Sequence, residues 1–133
     1  MQSIEDYALK FINEHILKMK NEEKKEFRSR VRDLYSTAYF EGLIPTLVFA
    51  YSKATEEKVR ELFNGRNNLG KTEVGYGFYV FAIIKFIKEH LKKDMDISVD
   101  SLIKMLKDKS IENKIFIYMK WLKYFAEAKI EKE

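Results

Sequence analysis

The sequence predicts an all-α protein, a single compact bundle of about five to six helices without a sheet. The chain of 133 residues has one Pro and five Gly, so it is poor in the turn residues that a sandwich or barrel requires. Apolar residues make up 46% of it, and they recur at helical spacing rather than alternating with period two. The length suits one domain, so we expect residues 1–133 to fold as a single unit.

Two helices are predicted in the first third of the chain. The first begins after Ser3, whose hydroxyl can cap it, and ends near Lys20. Asn21 is expected to cap the second, whose apolar residues recur at i, i+4, i+7 and i+11. This predicted core stripe consists of Phe27, Val31, Leu34 and Ala38.

Gly42 ends the second helix, and Pro45 suits the first turn of a third one because its missing N–H costs nothing there. Residues 55–63 read as a short charged helix. The next predicted elements are a glycine-rich loop over 64–77, a helix over 78–91 that is apolar nearly all round and therefore central, a helix over 98–109 capped by Ser98, and a helix over 110–130 capped by Ser110.

Several function classes are excluded or disfavoured. The absence of cysteine rules out disulfides, thiolate catalysis and cysteine zinc sites. His15 and His90 have no sequence neighbours that form a metal or acid–base pair, so we expect one of them to be packed and the other to be capping or exposed, and we expect no metal, no cofactor and no small-molecule substrate. The polar start predicts no signal peptide, and the longest apolar run, 76–84, is shorter than the ~20 residues of a membrane span. We therefore expect a cytoplasmic protein without a membrane partner.

Residues 65–72, Gly-Arg-Asn-Asn-Leu-Gly-Lys-Thr, match the P-loop pattern letter for letter. A P-loop follows a buried strand and opens a helix. Here residues 56–63 form an amphipathic helix pattern instead, and Gly75 and Gly77 discourage an immediate helix after the loop. We interpret the match as a mobile loop in which Arg66 and Lys71 are solvated or contact phosphates of a nucleic-acid backbone.

The second helix separates its charges by side. On a helical wheel one flank of the core stripe carries cations and tyrosines, while the opposite flank carries Glu22, Glu26 and Asp33. Arg and Tyr on one flank can hold phosphates and stack on bases, although an ordinary solvated face is the alternative. This cationic stripe consists of Lys25, Arg28, Arg32, Tyr35 and Tyr39.

The last helix has an apolar arc of roughly 220°, against about 100° for a helix with one buried face. One apolar row runs from Ile111 to Phe125, and a second, adjacent row contains Ile117, Trp121 and Tyr124. Either the helix is central to the bundle or the second row forms an interface with another subunit.

Two motifs resemble a known family. Residues 42–49, Gly-Leu-Ile-Pro-Thr-Leu-Val-Phe, are similar to the Gly-Leu-x-x-Thr-Leu-x-Phe helix start of the Cmr small subunit family. Residues 121–128, Trp-Leu-Lys-Tyr-Phe-Ala-Glu-Ala, resemble its C-terminal Trp-Leu-Lys-x-Phe-Ala-Glu-Ala signature. Pro45 stands where the family often has a smaller or polar residue. The order of helices also fits, so the resemblance covers most of the chain.

The resemblance implies a non-catalytic small subunit of the type III-B CRISPR (Cmr) effector complex. Such subunits stack into a minor filament along the guide RNA–target RNA duplex. Guide RNA, target RNA, other Cmr subunits and copies of itself are then the expected partners. The alternatives are a small subunit of a type III-A complex, a P-loop-like nucleotide-binding enzyme using Lys71, and a helical adaptor without a nucleic-acid partner.

Overall fold

The structure, a computed structural model, describes residues 2–131, which contain seven α-helices and no strand. The predicted all-α class is therefore confirmed, with slightly more helices than the five to six expected. Met1, Lys132 and Glu133 of the predicted domain lie outside the described residues. The helices are α1 (Ile4–Phe11), α2 (Asn21–Glu41), α3 (Leu43–Ala54), α4 (Glu56–Phe63), α5 (Val74–Lys85), α6 (Val99–Leu106) and α7 (Lys109–Lys129).

Local chemistry sets most of the helix ends. Ser3 and Ser98 cap α1 and α6 as predicted, each hydroxyl accepting a hydrogen bond from the backbone N–H three residues on. Gly42 has a φ of 96° and separates α2 from α3. Beyond their last regular turns, α1 and α5 continue as π-helical turns, Ile12–Ile16 and Phe86–His90.

Two predicted caps are wrong. Asn21 is the first helical residue of α2, and Lys20 holds the cap position, with its backbone N–H donating to Glu23 Oε1 at 3.3 Å. Asp108, not Ser110, caps α7, and its carboxylate accepts from the N–H groups of Ser110 (2.9 Å) and Ile111 (3.3 Å). In both places a carboxylate accepts a hydrogen bond from a backbone N–H at the start of the helix. Its negative charge also interacts favourably with the positive end of the helix dipole.

Helix α5 lies at the centre of the bundle, as its all-round apolar character predicts. Every residue from Val74 to Ile84 is buried except the half-buried Tyr76. Helix α2 packs against α5 and also against α7, while α3 contacts α5 and α1 contacts α7. The core stripe of α2 faces inward as predicted, since all four of its residues are at most 3% exposed.

The predicted loop over 64–77 is too long at its C-terminal end. Helix α5 begins at Val74, so Gly75 and Gly77 are helical residues. Their role is close packing rather than chain reversal. A Cβ atom at Gly75 would lie 2.6 Å from Arg30 Cγ and 2.8 Å from the Glu26 carbonyl oxygen, both on α2. The glycine therefore lets the backbones of α2 and α5 approach each other.

Substituting Gly75 by Ala tests this contact. In a helix interior this exchange normally stabilises by about 1 kcal/mol through propensity. Here the added methyl must displace α2 backbone, so we expect the free energy of unfolding to fall by about 1–3 kcal/mol. Chemical denaturation measures the change, and a Gly75→Ala protein more stable than the wild type would contradict the packing account.

The lowered pKa values of the two histidines imply that the stability of the protein depends on pH. Burial and the nearby Lys85 ammonium lower the pKa of His15, and burial and Lys92 lower that of His90. Just below pH 6.5 the unfolded chain therefore binds more protons than the folded one, so the free energy of unfolding rises with pH in this window. We expect stability to decline from pH 7 to about pH 5.

Replacing both histidines by Gln should flatten this decline, as measured by denaturation at each pH. Glu89 affects the stability of the protein at a lower pH than the histidines do. Burial works to raise its pKa, but hydrogen bonds from Lys85 and Tyr7 outweigh that effect and lower it. A wild-type protein whose stability stays constant down to pH 5 and drops only where carboxylates titrate would refute the role of the histidines.

Candidate functional site

The cationic stripe of α2 lies on the protein surface, because the buried core stripe fixes how the helix is rotated. Lys25 and Arg28 are half-buried, and Arg32 is exposed. Tyr39 is 71% exposed, whereas Tyr35 packs against the core. The structure therefore leaves three cations and one aromatic ring of the stripe accessible, and Tyr35 serves mainly as support.

These cations are largely without carboxylate partners in residues 2–131. Only Arg32 has one within 4.0 Å, the Oδ1 atom of its chain neighbour Asp33 at 3.6 Å. The Nε atom of Arg28 is buried and meets no hydrogen-bond acceptor within the same residues.

The opposite flank of α2 is acidic but internally compensated. Arg30 Nε lies 2.8 Å from Glu26 Oε1, and its Nη1 lies 3.6 Å from Asp33 Oδ2. The Arg30 guanidinium also sits 4.7 Å above the centre of the Tyr76 ring on α5. Arg30 thus fastens α2 to α5 and compensates the charges of Glu26 and Asp33.

The loop with the P-loop pattern follows helix α4, as predicted, and not a strand. The N–H of Gly70 donates to Glu73 Oε1 at 3.0 Å, and Lys58 Nζ lies 3.5 Å from the same oxygen. A protein carboxylate therefore occupies a backbone donor that a phosphate cradle would need to leave open. This arrangement differs from a nucleotide-binding P-loop.

Of the two loop cations, the structure brings only one to the stripe. Lys71 Nζ lies 3.3 Å from Glu22 Oε2, and Lys71 shares an open groove of 310 Å³ with Lys25 and with the carboxylates of Glu22 and Glu26. Arg66 lies beside α4, with its Nε atom 3.9 Å from Glu61 Oε2. Both side chains are mostly exposed, so these ion pairs contribute little and leave the cations available.

The second apolar row of α7 is partly open to solvent. Ile117 is 42% and Tyr124 is 50% exposed, while the half-buried Trp121 stacks on Phe125 with ring centres 5.5 Å apart. Lys120 Nζ lies 5.3 Å from the centre of the Trp121 ring, and Lys123 Nζ lies 5.1 Å from that of Tyr124. We call Ile117, Trp121, Tyr124 and these two lysines the α7 strip.

Sequence reasoning missed a second accessible aromatic region, beside α2 and α3. Phe49 is 47% exposed and makes an edge contact with Tyr76, with ring centres 5.8 Å apart. Phe40 on the polar side of α2 is 80% exposed, and its place on that side was a usable signal. No comparable sequence signal marks Phe49 as exposed, because it lies within an apolar run. The α2–α3 groove, of 360 Å³, is lined by Arg30, Asp33, Leu34, Thr37, Glu41, Pro45, Thr46, Phe49 and Tyr76.

Other classes of site find no support in residues 2–131. These residues contain no group of three or more His, Asp or Glu side chains that could hold a metal ion. None of their helices combines the length and apolar character that crossing a bilayer requires. His15 packs on Phe11 and Phe81, and His90 stacks on Phe86. Both histidines thus pack against aromatic rings, whereas only one of them was predicted to be packed.

Comparison with known proteins identifies the family. Residues 2–129 match the family described as CRISPR-associated protein (Cas_Cmr5). The CRISPR system CMR subunit Cmr5 of Saccharolobus solfataricus is 31% identical over 130 residues, and the match covers 81% of this chain and 81% of that relative.

Two solved structures contain chains with the same fold. One is a cryo-EM structure of the type III-B Cmr-beta complex bound to non-cognate target RNA, with a TM-score of 0.82, 24% identity, and coverage of 100% of this chain and 99% of that chain. The other is the type III-B Cmr-beta bound to cognate target RNA and AMPPnP, with a TM-score of 0.83, 24% identity, and coverage of 98% and 97%. The family resemblance seen in the two motifs is thereby confirmed, and the chain belongs to the Cmr5 family of CRISPR-associated proteins.

Proposed function

We propose that this protein is the small subunit of a type III-B CRISPR effector complex and that it contacts guide RNA and target RNA through the cationic stripe of α2. Membership of the Cmr5 family over residues 2–129 is the observation that carries this proposal. It favours type III-B over the type III-A alternative, and it favours an RNA-containing assembly over an adaptor without nucleic acid.

The stripe suits a nucleic-acid backbone rather than bases. Lys25, Arg28 and Arg32 follow one another along the α2 axis at intervals of about 4.5 and 6 Å. Side chains of this kind neutralise phosphates without reading sequence. Tyr39, at the end of the stripe, can add stacking on a base or ribose.

The subunit acts by binding and not by catalysis in this proposal. The loop over 65–72 follows a helix, and Glu73 occupies the Gly70 N–H that a nucleotide phosphate would need. Copies of the subunit line up as a minor filament beside the guide–target duplex. Lys71 lines the same groove as Lys25, and its exposed ammonium can leave Glu22 to contact the same RNA.

Charge reversal on the stripe tests the RNA contact. The double variant Arg28→Glu, Arg32→Glu should weaken assembly on target RNA by about tenfold or more, because two phosphate contacts are lost and replaced by repulsion. The plot of log affinity against log salt concentration has a negative slope, and the magnitude of this slope should fall by about 1 to 2. Filter binding or mobility shift of the reconstituted complex over a salt series measures both quantities.

The matched control is Lys104→Glu, Lys107→Glu. It makes the same change in charge at two exposed positions on and just after α6, so it separates a local effect from one of net charge. Equal losses of affinity in both double variants would show that the stripe has no special role. An unchanged affinity in the stripe variant would sink the proposed contact.

The nucleotide-binding alternative has its own test. Titration of the purified protein with ATP and magnesium in a calorimeter should give no saturable heat, because the donor at Gly70 is engaged and no strand precedes the loop. Saturable binding that disappears in Lys71→Ala would contradict the non-catalytic proposal and restore the P-loop interpretation.

A further inference from the structure

The turn that ends α4 contains the one Asn-Gly pair of the sequence, Asn64 and Gly65. Asn64 is the C-terminal cap residue of α4, and Gly65 follows it with a φ of 78°. Both residues are exposed. A Cβ atom added at Gly65 would meet no other atom of the described chain within 4 Å. The main chain around the Gly65 nitrogen is therefore uncrowded.

The Asn64 side chain also differs from those of the other two asparagines in the loop. Asn67 Oδ1 accepts a hydrogen bond from the Leu69 N–H at 3.0 Å, and Asn68 Nδ2 donates to Glu61 Oε2. Within the part of the chain that the structure describes, the side-chain amide of Asn64 makes no hydrogen bond. It can therefore turn toward its own main chain without breaking a contact.

We propose that Asn64 is a site of spontaneous deamidation through a succinimide formed with the Gly65 nitrogen. A base removes the Gly65 amide proton, and the nitrogen forms a bond to Asn64 Cγ. The bond between Cγ and Nδ2 breaks, and ammonia leaves with the proton that the base returns. Water then opens the succinimide ring at either carbonyl and gives aspartate or isoaspartate. Glycine favours the ring closure because it has no side chain to hinder the approach.

The C-terminal cap of α4 controls the rate of this reaction in the folded protein. The Gly65 N–H donates to the Leu62 carbonyl oxygen at 3.1 Å, and the Arg66 N–H donates to the Glu61 carbonyl oxygen at 2.9 Å. These are the paired hydrogen bonds that commonly close a helix on a glycine. The first of them retains the proton that the Gly65 nitrogen must lose. The cap must therefore open before the ring can form, and helix ends open more readily than the core.

The reaction changes both the main chain and the charge of the loop. Isoaspartate adds a methylene group to the main chain between residues 64 and 65, so the two hydrogen bonds of the cap cannot both keep their geometry. Residues 64–73 hold Arg66, Lys71 and Glu73, a net charge of 2 − 1 = +1, which the new carboxylate cancels. Deamidation consequently loosens the end of α4 and removes the excess positive charge of the loop.

Peptide mass spectrometry of the full-length protein during prolonged incubation at mildly alkaline pH tests the proposal. Asn64 should show the mass increase of deamidation many-fold faster than Asn67 and Asn68, and the rate should rise with pH. The protein unfolded in urea should react several-fold faster at Asn64, because the cap no longer retains the Gly65 proton. Asn64→Gln is the matched control and should stay unmodified, since its longer side chain closes a less favourable ring.

Hydrogen exchange provides the second arm, after ion exchange has separated the modified protein by its additional negative charge. The Gly65 and Arg66 amides of the isoaspartate form should exchange several-fold faster than those of the unmodified protein. Asn64→Asp carries the new charge without the added methylene group, and its two amides should keep their slow exchange. Unchanged exchange in the isoaspartate form would overturn the proposed opening of the cap.

Two results of the incubation would overturn the proposed site itself. One is deamidation of Asn67 or Asn68 at the same rate as Asn64. The other is a folded protein whose Asn64 remains unmodified after the urea-unfolded sample has reacted completely, because the closed cap would then exclude the reaction from the native state.

Discussion

The close contact between α2 and α5 is the constraint on which the remaining surfaces depend. Gly75 allows the two backbones to meet, and Arg30 ties the outer edge of the contact to Glu26 and Tyr76. Because α5 is buried nearly all round, α2 must turn its core stripe toward it. That rotation places Arg28 and Arg32 on one side of the helix and Asp33 on the other. The buried core stripe thus determines where the cations of α2 become accessible, and Gly75 allows the close contact that holds the helix in this orientation.

The amino-acid pattern was sufficient for the helices and for the orientation of α2, because burial of Phe27 and Val31 at helical spacing leaves one possible rotation. Helix ends were less predictable, since Asp108 competed with Ser110 for the same cap and only packing places Gly75 inside a helix. The exposure of Phe49 could not be read from an apolar run, because it depends on which neighbours cover the ring.

The structure around residues 65–72 also decides whether the P-loop pattern there can bind a nucleotide. The letters of a P-loop are present, yet the chemistry requires free backbone donors after a strand. Here Glu73 accepts from Gly70 and helix α4 precedes the loop. Lys71 instead pairs with Glu22 of α2 at the surface. The short motifs over 42–49 and 121–128 were more informative about function, because they pointed to the family to which the chain belongs.

Ultraviolet cross-linking of the native complex, followed by mass spectrometry of the peptides, tests most directly the proposed contact between RNA and α2. Aromatic side chains next to bases cross-link readily, so the account predicts RNA adducts on the peptide that contains Tyr39, together with protection of Lys25 from acetylation. Adducts confined to the α7 strip, with Lys25 equally reactive in the presence and absence of RNA, would contradict it.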